Sequence, residues 1–157
     1  MRKNVDRLFG SILVALMAAM TVDVLWGVFT RYAVGHQASW SEELARFLLI
    51  WIGILGAAYA SGQNMHLAID LLKPKLSPRN QDQLTSLIHV LIMLFAFGVL
   101  VIGGCRLMFI TYHLGQTSAA LRIPMSIVYA VVPVSGLLIV YYSTMDLLAH
   151  RQSQNAG

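Results

Sequence analysis

Long uncharged stretches are the feature of this sequence that most restricts its fold. Three of them are 23 residues long, at 47–69, 83–105 and 123–145, and two of 15 residues lie at 8–22 and 107–121. A helix needs about 20 mostly apolar residues to cross a bilayer. Lipid offers no partner to main-chain N–H and C=O groups, so a spanning segment must be a helix or part of a closed β-barrel. So few segments cannot close a barrel, and they must therefore be helices. The stretches therefore predict an all-α integral membrane protein.

The composition excludes several other classes of protein. Only 11% of the 157 residues are charged and 57% are hydrophobic, whereas soluble domains carry about 25% charged residues. A disordered chain, a soluble enzyme and a nucleic-acid-binding domain are therefore excluded, although the pI is near 9.5. Cys105 is the only cysteine, so the chain forms no internal disulfide.

Four tilted transmembrane helices account for nearly the whole chain, which we interpret as a single membrane domain, 1–157. The predicted spans are 8–32, 42–62, 84–113 and 124–148. The stretch 65–72 is apolar and predicts a short interfacial segment between the second and third helices. Tryptophan and tyrosine residues fall mostly toward the span ends, as an aromatic belt at the membrane interfaces requires, so membrane lipid is an expected partner.

Local signals mark where these helices begin and bend. Ser39 and Glu42 have the spacing of a capping box that starts the second helix. Pro78 suits the first position of the third helix. Pro133 lies inside the fourth span and predicts a kink there, since a proline can be tolerated in a spanning helix when neighbouring helices satisfy the freed backbone.

Basic residues predict the orientation. With the N-terminus inside, Arg122 is the one basic residue in the outer flanks, and the cytoplasmic flanks hold Arg2, Lys3, Arg7, Lys73, Lys75, Arg79 and Arg151. An excess of Lys and Arg is typical of cytoplasmic segments. Both termini are therefore predicted to be cytoplasmic, and the net charge of +4 needs no acidic partner.

A group of charged residues is predicted at the outer helix ends. Glu42 and Arg46 are four apart on the second helix and can form an ion pair. Arg31 and Arg106, from neighbouring helices at that depth, are expected to reach Glu43. Such a group would fix how the helices cross. The alternative is a paired-carboxylate acid–base site, but no nucleophile or electrophile accompanies it.

Asp23 and a set of small residues are the remaining candidates within the spans. Asp23 lies deep in the first span, where a carboxylate is costly. It is interpreted either as a proton or cation site or as a structural group bonded to another helix. The second helix carries a predicted packing face of small residues, which lets helix backbones approach closely: Gly53, Gly56, Ala57 and Ala60.

The histidines raise a haem hypothesis. His89 and His113 are near opposite ends of the third span, and their only candidate partners, His36 and His66, fall in connecting segments. Bis-histidine ligation needs two histidines at matching depths, so interfacial or hydrogen-bonded histidines are the favoured interpretation. No metal or other cofactor is expected in this chain.

One order of residues along the chain resembles a known family. Its members in this sequence are Arg31-Tyr32, Trp40-Ser-Glu-Glu-Leu-Ala-Arg46, Trp51-Ile-Gly53, Gly56-Ala-Ala58, His66-Leu-Ala-Ile-Asp70, Ile123-Pro124, Tyr129 and Pro133. This order resembles the small integral membrane subunit, the Q subunit, of tripartite ATP-independent periplasmic (TRAP) transporters. The resemblance covers about 5–148.

The resemblance implies a transport function and two protein partners. A periplasmic binding protein would deliver an organic acid, such as a C4-dicarboxylate or a sialic acid, to a large subunit in the bacterial inner membrane. The large subunit would hold the substrate and sodium sites, and this chain would act as its scaffold and not as an enzyme. The outer charged group, including Trp40 beside it, would then be a helix-crossing and partner-interface region.

The main alternative is a self-sufficient, proton-coupled multidrug exporter of four helices that uses Asp23. We expect the purified chain, reconstituted alone in liposomes, to transport nothing, since its spans contain one deep carboxylate and no coupling pathway. Transport that persisted without a partner and disappeared in Asp23→Asn would favour the exporter. A coloured preparation would instead favour the membrane cytochrome.

Overall fold

Four long helices follow one another along the chain, as the apolar stretches predict. The computed structural model describes the backbone of residues 2–36, 38–72 and 78–155, and side chains within 3–36, 38–63 and 86–148. Helices long and apolar enough to cross a membrane lie at Lys3–Val34, Ser39–Gln63, Ser86–His113 and Met125–Leu148. The all-α class and the four predicted spans are therefore confirmed.

The first two spans are uninterrupted helices. Helix α1 covers Arg2–Val34 and α2 covers Ser39–Leu72. The stretch 65–72 thus continues α2 as helix, where the sequence predicts a separate short segment. Nothing in this stretch ends a helix until Pro74, because it contains neither glycine nor proline.

The start of α2 differs by one residue from the predicted capping box. The carbonyl of Ala38 accepts the N–H of Glu42 at 3.4 Å. An N-cap residue is the one whose carbonyl accepts the first helical bond, so Ala38 holds that position and Ser39 is already helical. The side chain of Glu42 accepts from Arg46 instead of reaching back to the cap.

The third span changes its helical form half-way. It consists of α3 (Pro78–Phe95), a π-helical segment (Ala96–Gly103) and α4 (Gly104–His113). The predicted start at Pro78 is confirmed. A π-helical stretch is a rare departure from the α-helical ladder, and the sequence analysis did not predict it.

The fourth span is broken where proline predicts a kink. It consists of α5 (Met125–Tyr129) and α6 (Val131–Asn155). Pro133 has no N–H to donate to the carbonyl of Tyr129, so the helical ladder fails at this turn. The helix resumes when the N–H of Val134 donates to the carbonyl of Ala130 at 3.3 Å.

Trp51 of α2 bonds to the main chain beside this break. Its indole Nε1–H donates to the carbonyl of Val128 in α5 at 3.1 Å. Carbonyls in the last turn of a helix have no intrahelical partner, and lipid supplies none. Trp51 therefore satisfies a main-chain group that the break exposes and ties the fourth span to the second.

Neighbouring helices approach one another closely at glycines. Helix α2 packs between α1 and α6, and α6 packs against the third span. A Cβ atom added to Gly136 of α6 would lie 2.7 Å from the Cβ of Leu100 and 3.1 Å from the carbonyl oxygen of Ala96. One added to Gly104 would lie 2.8 Å from the ring Cδ of Pro133. Only glycine fits these two contacts.

A buried tyrosine joins α1, α2 and α6 near the N-terminal end of α1. Tyr142 of α6 is fully buried with Ala58 and Leu138. Its hydroxyl donates to Oδ1 of Asp6 in α1 at 2.6 Å. A Cβ atom added to Gly62 of α2 would lie 2.5 Å from its ring, so the ring rests directly on the α2 backbone. This contact fixes α1 and α2 against α6.

We predict that Gly136→Ala destabilises the folded chain by about 1–3 kcal/mol, because the new methyl group overpacks the contact with the π-helical segment. Gly53→Ala is the matched control, since a Cβ atom there meets nothing within 4 Å. It should leave stability unchanged or raise it by up to about 1 kcal/mol through helix propensity. Thermal unfolding in detergent measures both, and equal midpoints for the two variants would contradict the prediction.

Candidate functional site

The connection between the third and fourth spans is folded back on itself. The N–H of Ser118 donates to the carbonyl of Ile123 at 2.9 Å, and the N–H of Met125 donates to that of Gln116 at 2.9 Å. These two bonds close the segment into a ring between α4 and α5. We call residues 116–124 the closed loop.

Glu43, near the start of α2, places its carboxylate inside the closed loop. Its Oε2 accepts from the hydroxyl of Ser118 at 3.1 Å and from the N–H groups of Ala120 and Leu121, both at 2.8 Å. Its Oε1 accepts from the N–H of Ala119 at 3.0 Å. Successive N–H groups that converge in this way form a nest, which binds anions. The carboxylate thus ties the closed loop to α2.

This arrangement corrects the predicted partners of Glu43. The sequence predicts that Arg31 or Arg106 reaches it, and that prediction is wrong: among the described residues, neither arginine forms an ion pair with Glu43. Both arginines are exposed. A carboxylate that accepts four hydrogen bonds is a fixed anion, which favours a structural role over the acid–base alternative.

The predicted pair of Glu42 and Arg46 is present. Nη2 of Arg46 lies 3.2 Å from Oε1 of Glu42, and the two side chains are 65–66% exposed. An exposed pair of this kind adds little to stability. Its guanidinium and carboxylate remain accessible to a second protein, and their part in a partner interface stays a prediction.

Arg122 of the closed loop is a residue that the sequence analysis did not single out for chemistry. Its φ is 54°, a conformation that is uncommon for any residue except glycine. It follows directly on the three N–H groups that bind Glu43, so the carboxylate helps to hold this part of the loop. The small residues Ser118, Ala119 and Ala120 are the sequence signal, since they leave the nest open.

The predicted packing face of α2 divides into two. A Cβ atom on Gly56 would lie 3.9 Å from Leu13, so this glycine faces α1. Gly53, Ala57 and Ala60 are exposed, and a Cβ atom on Gly53 would meet nothing within 4 Å. Gly56 therefore packs within the chain, whereas contact of a partner with Gly53, Ala57 and Ala60 stays a prediction.

Asp23 is buried, as its position in the first span predicts. The residue is 5% exposed. The predicted hydrogen bond or arginine pair is not formed with any described residue, because both carboxylate oxygens lack a partner there. Ser41 of α2 donates its hydroxyl to the main-chain oxygen of Asp23, at 3.2 Å. Trp40 lines a groove together with Asp23.

The described histidines are far apart. His89 is buried in α3, whereas His113 is exposed at the end of α4 and stacks on Phe109 at 5.9 Å. His36 is exposed beyond α1, and the side chain of His66 lies outside the described residues. His89 and His113 are at opposite ends of one span, so they cannot ligate the same iron atom.

The profile of one protein family matches residues 20–152 of the chain. Its description is tripartite ATP-independent periplasmic transporters, DctQ component. The chain belongs to this family. It is therefore a TRAP small permease, a transport component and not an enzyme, as the resemblance implies. The four long apolar helices agree with a multi-pass membrane protein.

Three relatives of this chain are proteins of TRAP transporters. A candidate TRAP small permease of Haemophilus influenzae is 27% identical over 80% of this chain and 76% of its own length. The sialic acid TRAP transporter small permease SiaQ of Vibrio cholerae is 28% identical over 66% of this chain and 60% of its own. The isethionate TRAP transporter permease DctMQ of Oleidesulfovibrio alaskensis is 34% identical over 82% of this chain.

The DctMQ relative bears directly on partners. This chain spans only 21% of that protein, so most of the DctMQ chain lies outside the part similar to a small permease. Membership of the family thus implies a large membrane partner. Family membership also distinguishes the chain from the self-sufficient, proton-coupled exporters, which are the alternative based on Asp23.

We predict that Glu43→Gln loosens the closed loop. An amide oxygen in the place of Oε2 can still accept from Ser118, Ala120 and Leu121, but these bonds lose the charge of the carboxylate, and the NH₂ group then faces the N–H of Ala119 and cannot accept it. Amide hydrogen exchange at 119–121 should become at least about tenfold faster, because hydrogen bonds to a charged group are the strong ones.

Glu42→Gln is the matched control, since it removes the neighbouring carboxylate, which is exposed and pairs with Arg46. It should leave exchange in the closed loop at the wild-type rate. Equal exchange at 119–121 in Glu43→Gln and wild type would show that the carboxylate does not hold the loop.

Proposed function

We propose that this chain braces the large, sodium-coupled subunit of a TRAP transporter during uptake of an organic acid. A periplasmic binding protein delivers the acid to the complex. The observation that carries the proposal is the family match over 20–152, together with a DctMQ relative in which the similar region is a fifth of a longer permease. A segment that also occurs within a longer permease chain is expected to lie beside the rest of it.

Physical features of the chain support a scaffold. The glycine contacts at Gly104 and Gly136 and the Glu43 nest hold the helices and the closed loop in one arrangement. An elevator-type transporter needs a fixed part against which its mobile part moves, and closely packed interiors resist deformation. The sodium and substrate sites are assigned to the large subunit, and no cofactor is assigned to this chain.

The names of the relatives indicate the substrate class only broadly. One small permease is named for sialic acid and the DctMQ protein for isethionate, which are both organic anions. Similar small subunits thus accompany different substrates, so the choice is assigned to the other subunits. We propose an organic acid of the C4-dicarboxylate or sialic acid class.

The charge distribution supports an orientation in the bacterial inner membrane. With both termini cytoplasmic, the basic flanks lie inside. The closed loop, Glu42 and Arg46 then face the periplasm, where the binding protein docks. The exposed apolar faces of the spans contact lipid or the large subunit.

Uptake measured in cells tests the proposal. We expect substrate accumulation to require this chain, the large subunit and the binding protein together, and the tagged chain to co-purify with the large subunit. Arg46→Ala should weaken co-purification or reduce uptake, because the exposed guanidinium is assigned to the subunit interface.

Glu42→Gln separates that assignment from the pair within α2. If Arg46 acts only through Glu42, both variants will have the same small effect; a contact with the large subunit requires a larger effect of Arg46→Ala. Wild-type uptake and co-purification in Arg46→Ala, at normal expression, would remove Arg46 from the interface. Uptake that does not depend on this chain would overturn the proposed function itself.

A further inference from the structure

Asp23 stands out because its carboxylate is buried and no described residue bonds it. Neither oxygen has a hydrogen-bond partner among the described residues. The nearby hydroxyl of Ser41 donates to the main-chain oxygen of Asp23 instead. A polar group within a bilayer span is unfavourable unless it is paired, and such groups mark functional contacts. A donor for Asp23 is therefore expected from outside the described chain.

Asp23 lines a groove of about 660 Å³ between α1 and α2. Asp23 apart, the groove is lined by apolar side chains, among them Ala18, Val22 and Trp26 from α1 and Trp40 from α2. Ala18 also lines a second groove of about 540 Å³, which extends along α1. The two grooves share Ala18 and follow one another along α1, and we call them together the α1 groove.

The α1 groove has the length of a membrane span. Its lining residues Arg7, Ser11, Val14, Ala18 and Val22 recur at intervals of three or four, so they share one face of the helix. The twenty residues from Arg7 to Trp26 rise about 28 Å, close to the thickness of about 30 Å of a hydrocarbon core. A whole transmembrane helix fits along it.

We propose that the α1 groove receives one transmembrane helix of the large subunit, and that this helix donates a hydrogen bond to Asp23. The inference rests on the proposed function. Exposed apolar residues alone would not distinguish this face, because every lipid-facing helix exposes them. Small residues such as Ala18 allow close approach of a second helix, and the carboxylate requires a donor. A lipid acyl chain would fill the groove but would bring no donor to this depth.

Entry of the helix involves the two tryptophans of the groove. The carboxylate oxygens are covered in the isolated chain, whereas Trp26 and Trp40 are 48% and 42% exposed. The side chains that cover the carboxylate must therefore move as the helix enters, and the exposed indoles of Trp26 and Trp40 line the same groove.

Photo-crosslinking locates the partner. The residue p-benzoylphenylalanine is placed at Val22 in the groove, or at Leu94 or Phe109 in the third span. All three sites are 66–68% exposed, and α6 and α2 separate the third span from α1. In membranes that hold both subunits, an adduct with the large subunit is expected from Val22 alone.

Each other result of the crosslinking overturns the proposal. Adducts from Leu94 or Phe109 without one from Val22 place the interface at the opposite edge, and the proposed function stands. Equal adducts from all three sites show that the contact is not confined to the groove. Lipid adducts alone at Val22, with an intact complex, assign the groove to lipid. No adduct anywhere, and no co-purification, removes the proposed function as well.

Substitution of Asp23 tests the hydrogen bond. Asp23→Leu removes an unpaired buried group, so the isolated chain should unfold at a higher temperature. The dissociation constant for the large subunit should nevertheless rise about threefold to tenfold, the effect of one interhelical hydrogen bond. A residue that only stabilised the fold would not show these opposite effects. Asp23→Asn keeps an acceptor oxygen and should bind more tightly than Asp23→Leu.

Filling the groove supplies a second variant that does not depend on Asp23. Ala18→Leu should weaken binding, whereas Cys105→Leu, at an exposed small residue of the third span that lines neither groove, should not. If both Asp23→Leu and Ala18→Leu bind the large subunit with wild-type affinity, the proposal is overturned. Weaker binding by Cys105→Leu alone places the partner on the third span.

Discussion

Every main-chain polar group that lies in a bilayer needs a partner within the protein, and at two departures from regular helix a side chain of α2 supplies that partner. The fourth span breaks before Pro133, and beside the break the indole of Trp51 bonds the carbonyl of Val128. The closed loop turns three N–H groups inward, and there the carboxylate of Glu43 accepts them. The break in the fourth span and the closed loop are thus both tied to α2.

Helix α2 is consequently the centre of the arrangement. It packs between α1 and α6, and its Gly62 accommodates the ring of Tyr142. Between lipid-exposed helices the hydrophobic effect provides little attraction, so close packing and hydrogen bonds must hold them. Glycine contacts supply the first of these, and Trp51, Glu43 and Tyr142 supply the second. A chain built in this way suits a fixed support for a moving partner.

The charged residues divide by what they bond. Glu43 is satisfied within the chain, and Glu42 and Arg46 bond each other while remaining exposed. Asp23 is buried without a described partner. Composition shows that charges are scarce, but it cannot distinguish these cases, because a main-chain donor is present in every loop whatever its side chains. For this reason the arginine partners predicted for Glu43 are wrong, while the local Glu42–Arg46 pair is confirmed.

The sequence by itself determined the four spans, the kink at Pro133, the pairing of Glu42 with Arg46 and the family, since each depends on local spacing or on an order of residues along the chain. Only the tertiary structure decided the π-helical segment, the nest around Glu43, the division of the small-residue face and the α1 groove. These features arise where residues distant in sequence meet, such as Glu43 with Leu121 or Gly136 with Leu100. Such contacts depend on how the helices pack, and hydrophobic periodicity carries no information about that.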